Sequence, residues 1–144
     1  MAKKEILICA GTGCLSAGAE KVEEEFKKQL KREDLNNEYE IKEVINKTGC
    51  VGPCSLGPIV IIKPDNTFYG NLKVSDVEKI VMQHLEKGEV VEELLTKEHD
   101  ESIEDFKSLR FMKNQRRIAL RNTGIIDPNK IEEYLDRSGY QALK

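Results

Sequence analysis

Ile6-Leu7-Ile8-Cys9-Ala10-Gly11-Thr12-Gly13-Cys14 is the stretch on which the reading of this chain turns. Three apolar residues make a short strand, and the strand runs directly into a loop that holds two cysteines and two glycines. The pattern occurs once more. The run from Tyr39 to Ile45 reads as a second strand, and Thr48-Gly49-Cys50-Val51-Gly52-Pro53-Cys54 follows it. Cys9, Cys14, Cys50 and Cys54 are all the cysteines among 144 residues, spaced C-x4-C and C-x3-C with 35 residues between the pairs. If the two strands lie side by side in one sheet, the four sulfurs meet at one end of it. Thiolates are soft ligands, and four of them select zinc or an iron-sulfur cluster over calcium or magnesium.

Between those two options the loops lean toward the cluster. Gly11, Gly13, Gly49, Gly52 and Gly57 crowd around the cysteines, and glycine lets backbone approach a ligand closely. Many amide N–H groups then point at one centre. A 2Fe-2S cluster with four thiolates carries a net charge of about minus two, which such donors stabilise and tune. Zinc sites more often use a tighter C-x2-C knuckle, so structural zinc stands as the alternative. The same four residues would be the ligands in either case.

The chain between and after the loops fits an α/β unit. Ser16 is positioned to cap a helix whose Ala19, Val22, Phe26 and Leu30 recur at spacings of three and four, and Leu35-Asn36-Asn37 is expected to end it. A strand, a helix and a parallel strand form a crossover that places both cysteine loops at the same sheet edge. Beyond Cys54, Ile59-Val60-Ile61-Ile62 predicts a strand buried on both faces. Pro64, Asp65 and Asn66 predict a turn, and Thr67 to Gly70 the returning strand. Ser75 with Glu78 predicts a capping box for a helix carrying Val77, Ile80, Val81 and Leu85 on one stripe and ending at Gly88. The order is β-α-β-β-β-α, a thioredoxin-like ferredoxin arrangement followed by a short helical extension. Pro58, just before a strand, invites comparison with the cis-proline of thioredoxin, its isomer being left open by sequence.

The cysteine spacing, with Gly-Thr-Gly-Cys in the first loop and Thr-Gly-Cys-Val-Gly-Pro-Cys and Leu-Gly-Pro in the second, resembles the thioredoxin-like 2Fe-2S ferredoxins. Within that group the first loop, Ala17-Gly18-Ala19, and the stretch from Gly57 to Gly70 resemble the N-terminal domain of the NADH-oxidising beta subunit of multimeric, electron-bifurcating iron-only hydrogenases and their NADP-reducing relatives. The 24 kDa subunit of respiratory complex I is similar but carries a helical bundle before its cysteines. The stretch from Phe111 to Pro128, then Ile131 to Leu135 and Gly139 to Leu143, resembles the opening of the 51 kDa flavoprotein subunit of complex I and its hydrogenase relatives. The resemblance implies one-electron transfer through a 2Fe-2S cluster on Cys9, Cys14, Cys50 and Cys54. It also implies partners among the other subunits of a hydrogenase or NADH dehydrogenase complex. In such a parent, FMN, NAD(P)H and a 4Fe-4S cluster would bind at segments beyond Lys144, so the chain reads as a fragment of an NAD(P)H-linked oxidoreductase subunit with no catalytic site of its own.

On this reading residues 1–95 form the ferredoxin domain, 96–102 a polar linker with His99 exposed, and 103–144 the helical start of the flavoprotein domain. Two helices are expected there, one from about Ile103 to Asn122 and one beginning after Asp127 with Pro128 at its first position and stopping near Gly139. The whole segment from about Ile103 to Lys144 is expected to dock only loosely on the ferredoxin domain. With 39% hydrophobic and 34% charged residues and a net charge of -3, the chain reads as globular and is not suited to nucleic acid. Arg116 and Arg117 read as a solvated helix face. No apolar stretch approaches the roughly 20 residues a membrane span needs, nor is there a signal peptide, so a cytoplasmic location is expected.

Other readings are weaker. Buried structural cysteines do not explain two matched glycine-rich loops, and a disulfide switch usually has C-x-x-C spacing. Gly11-Thr12-Gly13 opens like a dinucleotide fingerprint but has Ser16 where the third glycine belongs, and a dinucleotide-binding domain leaves the cysteines unexplained. A structural four-cysteine zinc domain or a subunit-docking module stands as the alternative function. His84 and His99 read as surface residues, and no catalytic triad or carboxylate pair stands out.

Overall fold

The computed structural model describes residues 4–31 and 45–143. Its centre is β1 (Glu5–Cys9), whose Ile6, Leu7, Ile8 and Cys9 are all buried. That burial follows from pairing on both sides. β2 (Ile45–Thr48) runs parallel to it, with Ile6 opposite Ile45 and Cys9 opposite Thr48, and β3 (Val60–Lys63) runs antiparallel, with Ile8 opposite Val60. β4 (Thr67–Tyr69) pairs with β3 and completes a sheet in the order β2-β1-β3-β4. Ile59 to Ile62 are buried on both faces, as their unbroken apolar run predicts. The hairpin between β3 and β4 turns at Asn66, whose φ of 59° an asparagine tolerates. The Gly57–Pro58 and Lys63–Pro64 peptides are cis.

Among the described residues, two helices follow β1 where one is expected. α1 (Thr12–Ser16) carries Cys14 inward, and α2 (Ala19–Leu30) buries Ala19, Val22, Phe26 and Leu30 at the expected spacing. Ser16 does not cap α2. It is the last residue of α1, and α2 starts from Gly18 at φ 99°, with no side-chain cap. The left-handed glycine lets the chain change direction between the helices. The expected helix end at Leu35 to Asn37 and strand start at Tyr39 lie outside the described residues.

α3 (residues 74–86) begins as a 3-10 turn at Val74–Asp76, is α-helical at Val77–Lys79, and widens to π-helical geometry at Ile80–Glu86. Val77, Ile80, Val81 and Leu85 are buried and Gly88 follows at φ 77°. The cap differs from the expected Ser75 and Glu78 pair. The turn opens at Val74, so Asp76 is the residue three places after the cap, and its carboxylate accepts the Lys73 N–H at 2.9 Å.

The rest of the chain departs most from expectation. Where a linker is expected, β5 (Thr96–Glu98) and β6 (Glu101–Ile103) form an antiparallel hairpin turning through His99 and Asp100 at φ 49° and 67°. Thr96 and Ile103 are buried, and bridges from Tyr69 to Leu95 and Thr67 to Asp105 attach the segment to the outer edge of β4. One buried face explains both its polar composition and its order. The long helix expected over 103–122 is reduced to a 3-10 turn at Phe106–Ser108 and α4 (Arg110–Lys113). A 20-residue helix would be a straight rod about 30 Å long; here the chain bends across the end of the sheet, from the β4 edge to β2. The last helix, α5 (Ile131–Asp136), starts after Lys130 because Asp127 ties up the preceding residues. Its carboxylate accepts the Asn129 N–H at 2.9 Å and its carbonyl the Lys130 N–H at 3.1 Å, leaving Pro128 inside the turn.

Candidate metal centre

The sheet places the four cysteines by simple geometry. Cys9 is the last residue of β1, and Cys14 lies in α1 immediately after it. Cys50 stands two residues beyond the end of β2, and Cys54 opens a 3-10 turn at Cys54–Leu56. The Ala10 N–H donates to the Thr48 carbonyl at 2.9 Å and the Cys9 N–H to the Ile59 carbonyl at 3.1 Å, which fixes the two loops at one edge. All four thiols are free. Cys50 Sγ and Cys54 Sγ are 4.0 Å apart, Cys14 interacts with both Cys9 and Cys54, and Cys50 is under the influence of Cys9 as well. The site is lopsided: Cys9 and Cys14 are buried, Cys50 half-buried and Cys54 exposed.

The loops cross so closely that a side chain on either glycine of the first would press on a cysteine of the second. A Cβ on Gly11 would lie 3.1 Å from Cys50 Cβ and 3.2 Å from its sulfur, and one on Gly13 would lie 3.0 Å from Cys54 Cβ. The first loop's glycines are therefore the surface against which the second loop's cysteines rest.

Burial pushes the Cys14 thiol up to about 12, and neighbouring Cys9 adds to the rise. Cys50 is also raised, by burial first and then by Cys54. Backbone N–H groups of Ile59 on Cys14 and of Gly52 on Cys50 work in the opposite direction. Sulfurs gathered this way do not ionise together without positive charge between them, and metal cations supply it.

Residues that sequence reasoning missed complete the site. Arg117 is not on a helix face; its Nη2 donates to the Val51 carbonyl at 2.8 Å and the Cys50 carbonyl at 3.4 Å. The Met112 sulfur lies 3.7 Å from where a Cβ on Gly52 would be, and the Thr123 methyl 3.0 Å from one on Gly49. The Gly124 N–H donates to Thr48 Oγ1 at 2.7 Å, Lys63 to the Ile125 carbonyl at 2.6 Å and Lys130 to Asn46 at 2.6 Å. Residues 109–124 thus strap the second cysteine loop, a tighter attachment than expected. His84 is wholly buried rather than on the surface, while His99 is exposed at its turn.

Residues 1–85 match the thioredoxin-like 2Fe-2S ferredoxin family. The chain belongs to that family. Among its relatives, a 2Fe-2S ferredoxin of Clostridium pasteurianum is 43% identical over 81 residues, covering 56% of this chain and 76% of the relative. The NADP-reducing hydrogenase subunit HndA of Solidesulfovibrio fructosivorans is 37% identical over 82 residues, 57% of this chain, and the match spans about half of HndA, 47% of its length. The crystal structure of the thioredoxin-like 2Fe-2S ferredoxin of Aquifex aeolicus superposes with a TM-score of 0.57 at 31% identity, over 66% of this chain and 97% of that one. As a member of the family the chain carries a 2Fe-2S cluster and transfers single electrons through it. The thioredoxin-like α/β fold is the expected one, and the zinc and dinucleotide readings are not favoured. Among the described residues no helix is long and apolar enough to cross a membrane.

Proposed function

We propose that Cys9, Cys14, Cys50 and Cys54 are the ligands of this ferredoxin's cluster. The observation that supports the assignment is the seating of Cys50 and Cys54 against Gly11 and Gly13, which brings the two cysteine loops into contact. Bound there, the cluster supplies a site that accepts one electron and returns it, with no bond made or broken in a substrate. The chain's own part is to hold four thiolates, exclude water from the Cys9 and Cys14 side, and aim the Ile59 and Gly52 amides at sulfur.

The redox partners in this reading are the flavin and iron-sulfur centres of a cytoplasmic hydrogenase or NADH dehydrogenase complex. The likeness to a hydrogenase subunit supports it. Residues 103–144, outside the family match, serve as the connection toward the flavoprotein part of such a complex. The test is metal and acid-labile sulfide analysis of protein prepared anaerobically, with electron paramagnetic resonance before and after dithionite. Two irons and two sulfides per chain, silent when oxidised and spin one-half when reduced, are expected. Single alanine substitutions at each of the four cysteines should remove that signal; full iron and sulfide in any one of them overturns the ligand assignment.

A further inference from the structure

Between Asp105 and Asp127 the chain holds Lys107, Arg110, Lys113, Arg116, Arg117 and Arg121 and no acidic residue. In a chain of net charge -3, those six cations leave -9 on the remainder. The charge is sorted in space as well as in sequence, because this segment is the strap over the second cysteine loop. Lys107, Arg110, Lys113, Arg116 and Arg121 are exposed, and among the described residues their side chains join no ion pair. Apolar side chains stand between them: Phe111 is 64% exposed, Ile118 75% and Leu120 52%. Phe111 shares a groove of about 430 Å³ with Pro53, Cys54, Ser55 and Leu56, so the collar is continuous with the exposed thiol of the site. Glu98 also lines that groove, where its carboxylate accepts the Arg110 N–H at 2.8 Å.

We propose that this basic collar is the docking surface for an acidic electron-carrier protein, which lands over Cys54; the proposal rests on the ligand assignment above. Electron exchange falls steeply with distance, so a partner must approach from the side where the site reaches solvent, and that side is Cys54. An anionic centre repels an acidic carrier, and unpaired cations at its rim offset the repulsion and orient the approach. Interfaces of this kind are small and steered by charge more than held by area. Arginine and aromatic side chains are enriched at protein interfaces, and the protruding Phe111, Ile118 and Leu120 suit a protein surface better than a phosphate backbone. One electron leaves the carrier and enters the site, or returns, and nothing else changes hands.

The test is calorimetric titration of the full cluster-bearing chain with an acidic flavodoxin. Affinity is expected to fall about tenfold or more between about 0.02 M and about 0.2 M salt, as the screening length shortens. The variant Lys113→Glu, Arg116→Glu, Arg121→Glu is expected to weaken binding at low salt about tenfold or more, and Arg121→Glu alone about threefold. A control, Lys21→Glu, Lys28→Glu, Lys87→Glu, makes the same charge change elsewhere and is expected to shift affinity less than about threefold. Equal loss in both triple variants, salt-independent affinity, no binding at low salt, or tighter binding of a single-stranded oligonucleotide or a phosphatidylserine vesicle than of the flavodoxin overturns the proposal. Iron and sulfide are measured on the same samples. Salt-dependent binding by protein whose iron survives loss of a cysteine supports the collar and overturns the ligand assignment alone.

Discussion

Arg117 donates a hydrogen bond to the carbonyl of Val51 at 2.8 Å, across 66 residues of sequence, and a second to that of Cys50 at 3.4 Å. One guanidinium therefore holds the backbone of the loop that carries Cys50 and Cys54, the more exposed half of the proposed ligand set, and places positive charge beside it. Such a charge favours the more negative, reduced form of the cluster. Arg117→Ala is expected to lower the midpoint potential; a unit charge near a redox centre is worth about 1 kcal/mol at an effective dielectric of about 40 and a separation of about 8 Å, or about 40 mV for one electron. Arg117→Lys should restore part of the shift, because charge returns without the fork of donors. A redox titration followed by electron paramagnetic resonance reads both, and an unchanged potential in the alanine variant would show that Arg117 is only structural.

At Gly13, space and not conformation is decisive. A methyl group there would sit 3.0 Å from Cys54 Cβ and 3.4 Å from its sulfur, so Cys54 must move. Overpacking of this kind costs about 1–3 kcal/mol. Gly13→Ala is expected to fold with near-native circular dichroism yet bind less than half the wild-type iron, on the order of the loss a displaced ligand gives. Gly18→Ala makes a useful contrast. It strains a left-handed residue at φ 99° but meets nothing within 4 Å, so it should lower stability and leave iron content alone.

The parts of the site legible in the sequence are those set by local pattern. Ile6 to Cys9 and Ile59 to Ile62 announce central strands because burial on two faces leaves no polar position, and Val22, Phe26 and Leu30 announce a helix by spacing. Parallel pairing of β1 with β2 then delivers the four cysteines together. The strap was not legible, because its conformation depends on distant partners. Gly124 finds Thr48 76 residues away, and Thr48 is in place only once the sheet exists. Its apolar residues read as helical while Ile118 and Leu120 face solvent. The β5–β6 hairpin was hidden for another reason: its turn uses His99 and Asp100 at positive φ, where glycine or asparagine is the usual signal. Ser16 failed as a cap because α1 uses it first.

Loss of the cluster should expose an asymmetry between the two cysteine pairs. Cys50 and Cys54 sulfurs lie 4.0 Å apart on the accessible side, whereas Cys9 and Cys14 are buried and the Cys14 thiol is pushed up to about 12. Thiolate is the reactive form, and access governs its oxidation. In aerobic buffer, with oxygen as the oxidant, the apo protein is expected to form a Cys50–Cys54 disulfide first, two thiols losing two electrons and two protons. Peptide mass spectrometry after alkylation should find Cys9 and Cys14 labelled only after unfolding. Earlier oxidation of Cys9 with Cys14 would contradict the burial argument.

Away from the cluster, a buried chain of hydrogen bonds sets the behaviour of the fold with pH. Tyr69 Oη accepts the Val91 N–H at 3.0 Å and lies 2.8 Å from His84 Nδ1. On the other side of the ring, His84 Nε2 faces Asp65 Oδ2 at 3.5 Å. Burial holds the His84 pKa below the ordinary value of 6.5, Asp65 opposes that, and Lys4, bonded to the His84 carbonyl, adds to it. The unfolded chain thus binds a proton near pH 6.5 that the folded chain refuses, so stability falls as pH drops from about 6.5 toward the folded value. A second, lower window comes from Glu23: burial raises its carboxyl, but hydrogen bonds from Lys27 and Lys47 outweigh this and hold it below 4.5, so its stabilisation is lost as pH falls through the folded value. Tyr69→Phe leaves Val91 N–H and His84 Nδ1 without partners and should cost about 1–3 kcal/mol at neutral pH. His84→Gln should flatten the dependence of the thermal midpoint between about pH 6.5 and 5 while leaving the lower window in place. A midpoint that drops as steeply in His84→Gln as in the wild type over that range would assign the upper window to another group.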